Sequence, residues 1–157
     1  MQAITPFLWF DSQAEEAATY YVSVFDDSAI TGISRDPENT PGPAGSVMTV
    51  QFTLKGQEFT ALNGGPEFDF TPAVSLYVHC KDQDEVDRYW DALLEGGRSQ
   101  SCGWVTDRFG VTWQIVPDRL GELLADPDPE RANRAMQAML EMDKIEIKPL
   151  EDAANAA

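Results

Sequence analysis

The order of hydrophobic periodicities along this chain occurs twice, and that repetition limits its fold more than any other feature. Ile4–Phe10 is an apolar run of strand character. "DSQAEEAATYYVSVF" (Asp11–Phe25) then changes to helical spacing, with Ala14, Ala17, Ala18, Tyr21, Val22 and Phe25 recurring near i, i+3, i+4 and i+7. Asp11 or Ser12 is placed to cap this helix, and the acids of its first turn suit the helix dipole. A strand over Ala29–Ser34 follows, then the Pro- and Gly-rich loop "RDPENTPGPAGS". "VMTVQFTL" and "QEFTALN", joined by Lys55-Gly56, make a hairpin with clear alternation. After the loop "GGPEFDFTP" the series restarts with the strand "AVSLYVHC" and the helix "DQDEVDRYWDALLEGG", ended by its glycine pair. Short strands around Ser99–Val105 and Val111–Val116 complete the second set.

The helical segments "AEEAATYY" and "QDEVDRYW" overlay at an offset of 69 positions. A period this long indicates a duplicated module and not a solenoid. The expected architecture is α+β: two tandem βαβββ modules, about 3–66 and 72–117, within a single domain over 1–157. A helical extension, 118–157, follows with "DRLGELLAD" and "DPERANRAMQAMLEM". In the second of these, Ala132, Ala135, Met136, Met139 and Leu140 form one apolar stripe, which serves either as core or as a partner-facing surface.

Charge removes several function classes. The formal net charge of −16 repels nucleic-acid phosphates and anionic membrane surfaces alike, so neither is an expected partner. With only Lys55, Lys81, Lys144 and Lys148 among eleven basic residues, the acidic surface reads either as adaptation to high salt or as an ordinary acidic protein. No run reaches the roughly 18 apolar residues of a membrane span. "MQAITPFLWFDSQAEE" lacks the basic region and cleavage site of a signal peptide, so a cytoplasmic location is expected. Cys80 and Cys102 form neither a disulfide framework nor a CxxC metal motif, and both read as small buried hydrophobes.

Several longer segments carry a resemblance. "ITPFLWFDSQAEEAATYYVSVF", "GQEFTALNGGP", "DEVDRYWDAL", "CGWVTDRFGVTWQIVP" and "LLADPDPERANRAMQAMLEMDKIEI" resemble the PhnB-like branch of the vicinal oxygen chelate superfamily. That superfamily has the glyoxalase and bleomycin-resistance fold, and the branch is often labelled 3-demethylubiquinone-9 3-methyltransferase. The resemblance implies that the two modules close into a cup-shaped mixed sheet, commonly in a homodimer. It also implies divalent-metal ligands on the first and last strands of each module. Methyl transfer finds no support in the residues: Phe10 is followed by "DSQAEE", which has no glycine to open an S-adenosylmethionine site.

Overlaying the modules locates the positions where the resemblance implies metal ligands. They read Pro6 (or Ile4), Thr60, Ser75 and Gln114. Divalent ions want carboxylate or imidazole, three or four at a time, and this set is neutral. No metal and no other cofactor is therefore expected. Gln114 stands among Trp113, Ile115 and Val116 as a ligand's place kept without its charge, or as a core amide paired to backbone. Alternation puts Ser75, Tyr77 and His79 on the cup face, with Trp104 and Phe109 near its rim, while Trp9, Trp90 and Trp113 read as helix-facing core. Candidate ligand-binding residues are thus Ser75, Tyr77, His79, Gln114, Thr60 and Trp104. His79, the sole histidine, is either a structural group or a general base, with Tyr77 the other catalytic candidate. The expected function is metal-free binding of a small organic molecule; the alternative is lyase, isomerase or dioxygenase chemistry of the superfamily type.

Overall fold

A computed structural model describes residues 2–38 and 42–156. The chain divides into two compact units, Met1–Phe70 and Thr71–Ala157, split within the loop that separates the two modules. Each unit contains a four-stranded mixed sheet, the first ordered β1-β4-β3-β2 and the second β5-β8-β7-β6.

The first unit comprises β1 (Phe7–Phe10), α1 (Ala14–Val24), β2 (Ser28–Arg35), β3 (Val47–Leu54) and β4 (Gln57–Asn63). Its period-2 alternation buries Val50, Phe52 and Leu54 of β3 with Phe59 and Ala61 of β4 and Leu8 and Phe10 of β1. These pack under Ala14, Ala17, Ala18 and Tyr21 of α1, whose small residues let helix and sheet approach closely. Lys55 (φ 50°) and Gly56 (φ 86°) both adopt positive φ, the two-residue turn that the right-handed strand twist favours. Of the expected loop "RDPENTPGPAGS", Arg35 belongs to β2 and residues 39–41 lie outside the described residues.

Two expectations fail here. Neither Asp11 nor Ser12 caps α1; Gln13 is its N-cap, and the Asn63 side chain at the end of β4 accepts the Ala14 N–H at 2.8 Å. Trp9 is not helix-facing, because Leu8 and Phe10 take that side and Trp9 points to the opposite face of β1. There its indole N–H donates to the Gly65 carbonyl at 2.9 Å, and Phe68 meets its ring edge-on. A Cβ on Gly64 would sit 2.3 Å from that indole, so only glycine fits beneath it.

The second unit comprises β5 (Ser75–Cys80), α2 (Gln83–Leu94), β6 (Arg98–Ser99), β7 (Trp104–Thr106) and β8 (Thr112–Pro117), followed by α3 (Asp118–Leu124), α4 (Pro129–Leu140) and α5 (Ile147–Asn155). Asp82 caps α2 by accepting from the Glu85 N–H, and Val86, Tyr89, Trp90 and Leu93 bury one side of that helix against the sheet. The short strands expected around Ser99–Val105 are β6 and β7, with Cys102 (φ 63°) and Gly103 (φ 86°) turning the chain between them. Helix α5 lies beyond the two helices expected after Pro117; its Pro149 occupies the first turn, where the missing N–H costs nothing.

The Met-bearing stripe of α4 serves as core at Ala135 and Met139, while Leu140 is 50% exposed. Ala135 is fully buried with Leu120, Leu123, Ile145, Leu150 and Ala154, while Ala138, Met139 and Met142 pack against them. Arg131 and Arg134 donate to the Ala153 and Ala154 carbonyls, which satisfies the open C-terminal end of α5. The Gln83 side chain ties this cluster to α2 by donating to the Ile145 carbonyl and accepting the Ile147 N–H. The β7–β8 turn is organised by buried Asp107: its Oδ1 accepts the Phe109 and Val111 N–H groups, and its Oδ2 accepts the Trp113 indole N–H at 2.8 Å.

Candidate functional site

Strand register assembles the candidate residues of the second unit into rows. Gln114 of β8 lies opposite Tyr77 of β5 on one side and opposite Trp104 of β7 on the other. Directly paired residues project to the same face, so Tyr77, Gln114 and Trp104 form one transverse row on the side away from α2. The next row is Ser75, Thr112 and Thr106, and the row beyond Gln114 is His79 with Val116. Leu76, Val78 and Cys80, together with Trp113, Ile115 and Val105, take the helix side.

Hydrogen bonding divides this face into satisfied and open groups. Gln114 Nε2 donates to Ser75 Oγ at 3.0 Å, which joins the two positions. Thr106 and Thr112 bond one another at 3.0 Å, and the Gln100 side chain donates to Thr106, so these hydroxyls are occupied and the two threonines buried. The Gln114 carbonyl oxygen, the Tyr77 hydroxyl and the Trp104 indole N–H bond no side chain or backbone group among the described residues. Tyr77 is 50% exposed. Desolvation by its surroundings, then the negative charges of Asp118 and Cys80, push its phenol above the ordinary 10.0. Tyr77 is therefore a neutral donor at any physiological pH. A phenolate difference titration at 295 nm of the protein against Tyr77→Phe is expected to give a midpoint above 10. The sign follows from the raised value: any stability tied to the neutral phenol is present below pH 10 and is lost as pH rises through the folded value.

His79 stands at the end of this face. Its ring centroid is 4.7 Å from that of Tyr77, and its Nδ1 lies 3.6 Å from Asp118 Oδ1 at the start of α3. Both side chains are mainly exposed, at 76% and 56%. Phe109, expected near the rim, sits in the β7–β8 turn with the Arg108 guanidinium 5.2 Å over its ring.

Thr60 belongs to the first unit, where the same register recurs. Thr60 lies opposite Phe7 of β1 and Gln51 of β3, as Gln114 lies opposite Tyr77 and Trp104. The first strands of the two units, β1 and β5, therefore correspond at an offset of 70, one more than the helices, because Asp11–Gln13 is one residue longer than Lys81-Asp82. This corrects the overlay: the counterpart of Ser75 is Thr5, neither Pro6 nor Ile4. The Thr60 N–H donates to the Pro6 carbonyl at 3.0 Å, so Pro6 contributes backbone to the ladder. Gln51, bonded through Nε2 to Thr49 Oγ1 at 2.9 Å, is a further polar member of this face that helix overlay missed. Counting from the Lys55-Gly56 turn outward along both hairpin strands identifies it from sequence.

The divalent ion that the resemblance implies meets the wrong donors. Thr5, Thr60, Ser75 and Gln114 present three hydroxyls and one amide, none ionised. The nearest carboxylate along β4, Glu58, accepts the Gln2 backbone N–H at 3.1 Å. Among the described residues no three His, Cys, Asp or Glu side chains gather as a metal group. No helix is long and apolar enough to cross a membrane among those residues.

Comparison with known proteins identifies the family and the fold. A Bacillus cereus PhnB protein, provisionally described as a 3-demethylubiquinone-9 3-methyltransferase, is 41% identical, with a TM-score of 0.68 over 74% of this chain and 99% of that one. A Pseudomonas aeruginosa protein has the same fold at 22% identity, with a TM-score of 0.63 over 74% and 98% of the two chains. A Listeria monocytogenes fosfomycin resistance protein, solved with Mn(II) and 1S,2S-dihydroxypropylphosphonic acid, shares the fold at 14% identity, TM-score 0.52, over 72% of this chain and 90% of that one. No curated protein matches the chain. The family described as 3-demethylubiquinone-9 3-methyltransferase matches residues 2–116, so the two modules up to Val116 belong to it and α3–α5 lie beyond the match. The chain is a member of that PhnB-like family, and it shares the fold of a Frankia glyoxalase/bleomycin-resistance/dioxygenase domain at 12% identity.

Proposed function

We propose that this protein binds a small organic molecule without a metal, on the face of the second sheet that carries Tyr77, Gln114 and Trp104. The observation that supports this most is the row itself: two aromatic side chains flank an amide whose carbonyl has no partner among the described residues. Aromatic surface with a few convergent polar groups is the usual chemistry of a ligand site. Methyl transfer, which the family's description names, is not part of this reading. Each sheet is mixed, with one parallel pair, and offers no doubly wound parallel sheet with a glycine-rich first turn. A second reading, an enzyme with His79 as general base, is favoured by Asp118 beside its imidazole. The homodimer is part of the proposal, and exposed Ile4, Phe7 and Phe68 of the first unit are apolar side chains that a second copy would cover.

Native mass spectrometry of protein purified directly from cells tests ligand and assembly together. The expected spectrum shows a mass twice that of the 17.4 kDa chain with a bound organic species, and Gln114→Leu loses the species but keeps the mass. Equal occupancy in Gln114→Leu, or no bound species in either protein, would overturn the reading. His79→Gln is expected to leave occupancy unchanged.

A further inference from the structure

We propose that the ligand of this face is an uncharged planar molecule, an aromatic or conjugated ring bearing a hydroxyl group, and not an organic anion. The inference rests on the binding reading above and names its ligand class. Three groups in one row are available to a ligand: the Gln114 carbonyl as acceptor, and the Tyr77 hydroxyl and Trp104 indole N–H as donors. With strands about 4.8 Å apart, the two aromatic residues are separated by roughly 10 Å with the amide midway. A flat ring lying across Gln114 would touch both side chains. Its hydroxyl could donate to the amide carbonyl and accept from the indole or phenol.

Charge argues against an anion at the same place. No lysine or arginine stands in the Tyr77 row or in the His79–Val116 row. The nearest cation on this face, Arg98, is on the outermost strand opposite Thr106, one strand beyond Trp104 and one row away. At the other end Asp118 presents a carboxylate beside His79, and the chain carries a net charge of −16. An anionic headgroup would lose its hydration here and gain no counter-charge. A cation would be attracted by the net charge and the aromatic faces, yet the Trp104 indole N–H offers it no acceptor, so an uncharged hydroxyl engages the row more completely.

The experiment compares four probes of nearly equal shape on the intact chain: naphthalene, 1-naphthol, 1-naphthoate and 1-naphthylmethylammonium. Affinities are read by equilibrium dialysis at about 0.15 M salt, where long-range attraction and repulsion are largely screened. The expected result is 1-naphthol binding roughly tenfold more tightly than naphthalene, as one well-placed hydrogen bond allows, with naphthoate weakest. Gln114→Leu should erase the advantage of naphthol over naphthalene, read as the ratio of the two affinities, which a merely structural role for Gln114 would not move. Trp104→Phe keeps a ring and removes the N–H, and should reduce the same ratio in part. Naphthoate or the ammonium probe binding as tightly as naphthol would overturn the ligand class and leave the binding reading standing. Failure of all four probes to bind, together with no co-purified species, would overturn both.

Discussion

Replacing Asp107 with alanine is expected to destabilise the protein by roughly 3–5 kcal/mol, because three N–H groups lose their acceptor at once. Those of Phe109 and Val111 point at Oδ1 and that of the Trp113 indole at Oδ2, in a turn where Asp107, Val111 and Trp113 are all buried. Water cannot replace the carboxylate without opening the turn, so each orphaned donor carries its desolvation cost. For a chain of 157 residues this corresponds to a melting temperature lower by about 10 °C. Asp107→Asn should fall between the two, since its amide oxygen serves one side while its NH2 faces donors on the other. Urea unfolding of the three proteins, with equal m-values, checks the order. An alanine variant within 1 °C of the parent would show that the turn does not depend on its carboxylate. The loss bears on function as well, because the turn sets Thr112–Val116 in register, and Gln114 with it.

Much of this fold is legible in the residues, and the failures share a cause. The β3–β4 hairpin is readable because its alternation and its Lys55-Gly56 turn agree. The face of β5 is readable because Ser75, Tyr77 and His79 alternate with Leu76, Val78 and Cys80. Strand β1, "FLWF", has no polar residue to mark its outer side, so the sequence alone does not reveal which face Trp9 takes. The α1 cap comes from Asn63, 49 residues away in sequence from Ala14, and no local signal announces it. Cys102 carries the break before β7 with a positive φ that cysteine rarely adopts, held by its N–H to the Met142 carbonyl at 2.8 Å. A helix overlay lands on Pro6 or Ile4 and misses Thr5, because it cannot detect a strand–helix connection longer by one residue. Gln114 needed no such overlay: one amide within "WQIVP" marks itself, and register then supplies its neighbours Tyr77 and Trp104.

The largest functional effect expected is an absence of metal dependence in a fold whose relatives include one solved with Mn(II). Ion affinity comes mainly from ionised or imidazole ligands that offset the cost of dehydrating the cation. Ser75 and Gln114 spend their contact on each other at 3.0 Å, and Thr60 is a neutral hydroxyl in the other unit's sheet. A site with a dissociation constant near 10 μM would add roughly 2.7 kcal/mol of stability at about 1 mM ion. In a chain of this size that is a rise in melting temperature of about 5–10 °C, which is easily seen. The decisive measurement is elemental analysis of protein purified without chelator, combined with melting curves in about 1 mM Mn²⁺, Ni²⁺ or Zn²⁺ for the parent, Gln114→Ala and His79→Ala. The account predicts no stoichiometric metal and curves that coincide with and without each ion. One equivalent of metal per chain, lost in Gln114→Ala, would contradict it.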